Sequence, residues 1–253
     1  MTRLRLLLVS AWLSVTVSTG MDVQKRIVGG NECERHYHVH LRIVFADGTS
    51  SFCGGSLISD QWIVTAAHCH EPGWTMYADL SGGVDGGEEI TAAPVKYEDV
   101  QKRPHDIMLL KLPQATTIKP VGLPDCDKRP LTVQIAGHAA TSGKPDGKRN
   151  PALTPKLHCA DFKLVDCKSL IQRLKADIPE RYSRRSHQHW FCAKTDLVDG
   201  CFGDSGGGAV FEDKIYGVVS FTGDPKYVCR EDIGIMDLCN QDYRKWIDDT
   251  IKT

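Results

Sequence analysis

Asp199-Gly200-Cys201-Phe202-Gly203-Asp204-Ser205-Gly206-Gly207 sets a serine between an aspartate and paired glycines. A serine hydroxyl is a weak nucleophile at neutral pH. It becomes useful when a base takes its proton and backbone N–H groups face the oxygen that gains charge. Gly203 and the glycines after Ser205 leave room for a substrate carbonyl to approach the main chain. Glycine also adopts the dihedrals that such a turn needs. Alone, the turn is a moderate signal, because glycine-rich turns with serine are common.

Two upstream stretches strengthen it. The first is Thr65-Ala66-Ala67-His68-Cys69, and the second is His105-Asp106-Ile107-Met108-Leu109-Leu110-Lys111-Leu112. A histidine beside a cysteine is usually packed or solvated, and an aspartate before an apolar run is usually a strand or turn cap. Together with Ser205 they give the chain order His, Asp, Ser. In that order, and in these motifs, the sequence resembles the chymotrypsin–trypsin family of serine proteases rather than subtilisins or α/β-hydrolases. The resemblance runs from Ile27 to Ile251. It implies that His68 is the general base toward Ser205, that Asp106 holds the imidazole tautomer, and that the Gly203 and Ser205 N–H groups form the oxyanion hole.

The amino-terminal segment reads as a leader. Arg3 and Arg5 are followed by mostly apolar residues 6–17 and by the small residues Ser18-Thr19-Gly20. The run is too short to span a bilayer, so residues 1–20 are expected to be a signal peptide and the product to be secreted. Residues 21–26 precede Ile27-Val28-Gly29-Gly30 and, by resemblance, form an activation peptide cut after Arg26. The new Ile27 ammonium would then pair with Asp204 and order the oxyanion loop, a switch driven by the cost of an unpaired buried carboxylate.

Ten cysteines suit an oxidising compartment, and no paired CxxC suggests zinc. Spacing alone leaves connectivity open. The resemblance implies the bridges Cys33–Cys159, Cys53–Cys69, Cys126–Cys239, Cys167–Cys192 and Cys201–Cys229. A further bridge of vertebrate trypsins is replaced at both positions by apolar residues, Val133 and Phe211.

Short apolar segments recur between Gly, Pro and Asp clusters, for example residues 39–45, 62–65, 107–112 and 215–221. This pattern predicts an all-β protein. The resemblance implies two six-stranded antiparallel Greek-key barrels, with the active site in the cleft between them. Pro120, Pro124 and Pro130 interrupt the strand pattern, which divides the protease domain 27–253 into an N-terminal barrel over about 27–124 and a C-terminal barrel over about 125–253. Residues 240–252 place Tyr243, Trp246, Ile247 and Ile251 on one helical face and predict a C-terminal helix. Residues 170–175 are a second helix candidate.

Specificity follows from pocket chemistry. Asp199 stands where trypsin-like members place the acid that pairs with substrate Arg or Lys. Gly234 stands at a small pocket position, Ser220 behind the triad, and residues 220–221 on the strand that pairs with substrate. Departures crowd the same region. Phe221 replaces a tryptophan, Thr222 replaces a pocket-wall glycine, residues 223–228 are an insertion, Gly208 replaces a proline and His138 a tryptophan. Either Thr222 narrows the pocket or Gly223 takes the wall position.

Other features carry less. His36, His38 and His40 alternate and would share one face of a strand, exposed or metal-binding. Residues 181–189 form a basic loop, solvated or suited to acidic partners. Residues 144–156 align with a self-cleavage loop. Asp85, Glu88 and Glu89 fall near the calcium loop of trypsins, but the segment is short and glycine-rich. No Asn-x-Ser/Thr sequon occurs, and the net charge of −1 gives no reason to expect nucleic acid. The expected protein is a monomeric zymogen without metal or cofactor. Its expected partners are protein or peptide substrates, an activating protease and protein protease inhibitors. Two alternatives stand beside broad Arg/Lys cleavage. One is a narrow-specificity venom, mucosal or immune protease. The other is a protease-fold binding protein with little activity.

Overall fold

The computed structural model describes residues 30–83, 86–139, 153–195, 205–222 and 232–252. The first eight strands are β1 (Asn31–Glu32), β2 (His38–Val44), β3 (Ser50–Leu57), β4 (Trp62–Thr65), β5 (Thr75–Asp79), β6 (Glu88–Glu89), β7 (Val95–Glu98) and β8 (Pro104–Lys111). They are followed by β9 (Thr132–Ala139), β10 (Leu153–Val165), helices α1 (Lys168–Asp177) and α2 (Pro179–Ser183), and β11 (Trp190–Lys194). The chain continues through β12 (Gly208–Phe211), β13 (Lys214–Thr222), β14 (Ile233–Asp237) and α3 (Gln241–Thr250).

The all-β expectation holds. The second half closes as a barrel, because β9 pairs with both β12 and β10 in the order β10-β11-β14-β13-β12-β9. The first sheet runs β6-β5-β2-β3-β4-β8-β7 and curls without closing among the described residues. β1 crosses over: Asn31 pairs with Cys159 on β10, and the Cys33–Cys159 disulfide fixes that crossing. Cys53–Cys69, Cys126–Cys239 and Cys167–Cys192 are also formed as the resemblance implied. Cys201 and Cys229 lie outside the described residues. No helix among the described residues is long and apolar enough to cross a membrane.

Strand alternation sets up the site. On β8 the run after Asp106 is buried on both faces. His105 turns toward α3, where its Nδ1 lies 2.5 Å from the Tyr243 hydroxyl. Asp106, the next residue, turns to the opposite side. Helix α3 begins at Asn240, whose side chain accepts hydrogen bonds from the Asp242 and Tyr243 N–H groups. Tyr243 and Ile247 are fully buried, in one cluster with Val39, Leu41, Ile63 and Leu110 of the first sheet. The shorter helix candidate is α1, which buries Leu170 and Leu174. A separate core, including Val133, Ile135, Phe162 and Ile235, fills the second barrel.

The alternating histidines do not form one exposed face. His36 precedes β2 and is exposed, whereas His38 and His40 are buried. Their rings lie 5.8 and 5.2 Å from the buried ring of His138 on β9, at the seam between the two sheets. Among the described residues the one gathering of metal-type ligands is Cys53, His68 and Cys69, where the two sulfurs are bonded to each other. Burial, then the His138 and His40 imidazoles, push the His38 pKa down from 6.5 to about 3. The unfolded chain therefore takes up this proton below pH 6.5 while the folded protein refuses it until about pH 3. The stabilisation is complete above 6.5 and is lost as pH falls toward 3, on the order of 4 kcal/mol. We expect Tm to fall between pH 7 and pH 4 by roughly 10 °C more in wild type than in His38→Gln. Parallel Tm–pH curves from calorimetry would remove His38 as the cause.

Candidate active site

The site is built where β3, β4, β8 and β13 meet. After β4 the chain turns through one short 3-10 turn, Ala67–Cys69, and Cys69 is tied back to Cys53 on β3. The turn thrusts His68 outward with its side chain 40% exposed. Its Nδ1 lies 3.0 and 2.9 Å from the two carboxylate oxygens of Asp106, and its backbone N–H donates to Asp106 Oδ1 at 2.8 Å. Ser220 on β13 donates its hydroxyl to Asp106 Oδ2. The Asp106 N–H in turn donates to Gln188 Oε1 at 3.0 Å. Burial raises the Asp106 pKa, but the His68 charge and the hydrogen bonds from His68 and Ser220 outweigh it and hold the group at about 2. The carboxylate thus stays ionised wherever a histidine can act as a base.

Ser205 is held by its backbone. Its carbonyl accepts from Gly54 N–H at 2.7 Å and lies 3.9 Å from Cys69 Sγ. Gly206 N–H donates to the Val219 carbonyl at 2.7 Å, and Val219 N–H donates to Gly207 at 2.9 Å. The serine turn is therefore stitched between a strand of each sheet. Gly206 has φ +84°, and a Cβ there would stand 2.2 Å from Thr65 Oγ1 and 2.3 Å from the Gly54 carbonyl. His68, Asp106 and Ser220 are in direct contact and the Ser205 backbone is placed beside Cys69. No hydrogen bond joins His68 to the Ser205 hydroxyl among the described residues. Arg26, Ile27, Asp199, Gly203 and Asp204 lie outside the described residues.

The pocket strand departs from regular pairing at Ser220. Val219 pairs with Ile235, but Phe221 pairs with Gly234, so one residue is bulged out between them. Phe221 and Gly234 consequently share a face of the sheet, and the ring lies directly over the glycine. Thr222 continues β13 opposite Ile233. The basic loop is not simply solvated: Arg185 sets its guanidinium 4.8 Å over the Phe221 ring, and Trp190 Nε1–H donates to the Arg185 carbonyl. Arg185 was read only as one charge of the basic loop and Gln188 not at all, because only the tertiary path of this loop brings them to Phe221 and Asp106. Glu88 and Glu89 are exposed on β6, and Asp85 lies outside the described residues.

Comparison with known proteins agrees with this geometry. The model of the trypsin family matches residues 27–247. Rat trypsin-4 is 30% identical, over 95% of this chain and 96% of its own length. Human kallikrein-2 is 29% identical, over 94% and 97% respectively. Among solved structures, neuropsin, a serine protease of mouse brain, superposes with a TM-score of 0.64 at 25% identity over 88% of this chain and 98% of its own. A scabies mite inactivated protease paralogue shares the fold at a TM-score of 0.67 and 24% identity, covering 88% and 99%. With the family match spanning nearly all of the chain after residue 26 and the His68–Asp106–Ser220 contacts in place, the chain belongs to the trypsin family of serine proteases.

Proposed function

We propose that the protein is a secreted serine endopeptidase, made as a zymogen and activated by a cut after Arg26. The observation that supports this most is the convergence on one buried carboxylate, Asp106, of the His68 main chain, the His68 ring and Ser220. In this reading Ser205 Oγ attacks the substrate carbonyl carbon as His68 Nε2 takes its proton. The oxyanion is met by the Gly203 and Ser205 N–H groups. His68 then passes the proton to the leaving amine, and water, activated by the same imidazole, releases the acid product. Asp106 fixes the tautomer throughout. In this reading Asp199, which matches the family's pocket acid by its place six residues before Ser205, makes Arg and Lys the preferred residues before the cleaved bond, and the Ile27 ammonium pairs with Asp204 after activation. Protein and peptide substrates and protein protease inhibitors are the expected partners.

A second reading, a protease-fold protein of low activity, is favoured by the Phe221 ring over Gly234. The test is direct. The precursor is cut at Arg26 and treated with a fluorophosphonate. Labelling in wild type but not in Ser205→Ala supports the enzyme. Failure to label after correct cutting supports the second reading.

A further inference from the structure

The strand that carries Asp106 is poorly paired where it reaches the site. β4 stops at Thr65 opposite Met108, and β7 pairs Lys96 with Met108 but next Glu98 with Pro104. Residues 105–107 bulge out of that ladder, so neither neighbouring strand pairs with Asp106. Asp106 is nonetheless buried, and a buried N–H needs an acceptor. Gln188 supplies it from outside the sheet: its Oε1 accepts from the Asp106 N–H at 3.0 Å. The residues on either side of Gln188 grip the same stretch. His187 Nε2–H donates to the Pro104 carbonyl at 3.2 Å. His189 N–H donates at 3.1 Å to the Tyr243 hydroxyl that meets His105. Three consecutive residues, 187–189, thus clasp three consecutive residues, 104–106.

From these contacts we infer that Gln188 is a positioning residue for catalysis: it fixes the Asp106 main chain, and through it the carboxylate that orients the His68 ring. This rests on the proposed function and deepens it. Two side chains meet the carboxylate, His68 and Ser220. His68 is the group to be oriented and is 40% exposed, so the fixed points must be Ser220 and the Asp106 backbone. Gln188 is itself anchored twice. Its N–H donates to the Arg185 carbonyl at 3.0 Å, and its Nε2–H donates to the Arg184 carbonyl at 2.8 Å. Trp190 donates to the same Arg185 carbonyl and packs on the buried cluster of Leu170, Leu174 and Phe221. The hold on Asp106 therefore rests on the core behind the basic loop. An amide suits the place. It accepts the N–H without setting a second negative charge beside Asp106, which would favour the protonated carboxyl.

The test is Gln188→Met in the protein cut at Arg26. Methionine keeps the length of the side chain and removes the acceptor. Two quantities are read: steady-state kinetics on an Arg peptide, and the proton NMR signal of His68 Nδ1–H, identified by its loss in Asp106→Asn. We expect kcat to fall about tenfold with KM within about twofold of wild type, and the Nδ1–H signal to shift and exchange faster with water. A purely structural role would lower Tm and leave both unchanged. An unchanged kcat overturns the positioning role, and so does a fallen kcat with an unmoved Nδ1–H signal. If the cut wild type neither turns over peptide nor labels with a fluorophosphonate, the proposed function fails, and the signal alone decides the clasp: unmoved in Gln188→Met, it overturns it. Should Gln188→Met fail to fold, Gln188→Asn carries the test. It keeps the amide but draws it back from Asp106 by one methylene, so losses in the same direction are expected. Wild-type kcat in that variant, or a wild-type signal, overturns the role.

Discussion

Asp106→Asn will lower kcat by about 10⁴-fold and leave KM within a few-fold of wild type. Asp106 presents two oxygens to the His68 ring at 3.0 and 2.9 Å, and those oxygens also accept from the His68 N–H and Ser220. Asparagine keeps the shape but offers one oxygen and one NH₂ group. With the oxygen kept at the Oδ1 position for the His68 N–H, the NH₂ takes the Oδ2 position, where it donates to Nδ1, which must then accept, and the Ser220 hydroxyl must turn to accept as well. The imidazole proton moves to Nε2, and the nitrogen facing the serine can no longer take a proton. The loss is one of tautomer and not of position, so substrate binding is nearly unaffected. Because the Asp106 carboxyl is held at about 2, no acid limb near pH 4 in the kcat profile is assigned to it. Steady-state kinetics on an Arg peptide after the Arg26 cut measures the effect. A decrease below tenfold would remove Asp106 from the catalytic group.

The second large effect is expected at Gly206. Alanine there needs a positive φ and places its methyl 2.2 Å from Thr65 Oγ1 and 2.3 Å from the Gly54 carbonyl. Both are fixed: Thr65 Oγ1 donates to that carbonyl at 2.8 Å, and Gly54 N–H holds the Ser205 carbonyl at 2.7 Å. The turn must move away from β3 and β4, and Ser205 moves with it. We expect a stability loss of about 3–5 kcal/mol and a kcat decrease of at least about 10²-fold. Gly48→Ala is the control. Its φ is +82° with nothing within 4 Å, so it carries the backbone strain without the clash. It should lose only about 1 kcal/mol and no activity. Urea midpoints and turnover of the two variants separate strain from displacement. Equal losses in both would show that the contacts around Gly206 are not what matters.

The motifs read from sequence were those whose chemistry is local or whose order along the chain is distinctive. His68, Asp106 and Ser205 stood in recognisable stretches, and four of the implied bridges joined as expected. The helical face of Tyr243 and Ile247 was equally plain, because a period of 3.6 shows in a ten-residue helix. What stayed hidden depends on pairing between distant segments. The bulge at Ser220 is a register choice between β13 and β14, and that choice decides where the Phe221 ring goes. The burial of His38 and His40 depends on β9 arriving beside β2, and alternation alone could not say which side would be covered. Thr222 drew attention as the odd pocket residue, but the ring over Gly234 belongs to its neighbour.

Helix α3 completes the hydrophobic interior of the half of the molecule that is made first. Until Tyr243, Ile247 and Leu238 have emerged from the ribosome, the core of the opening half lacks the side chains that these residues supply. Assembly should therefore wait for synthesis to finish, and the two halves should melt in one transition. A partly translated or clipped molecule lacking this helix would expose apolar strands to chaperones and degradation.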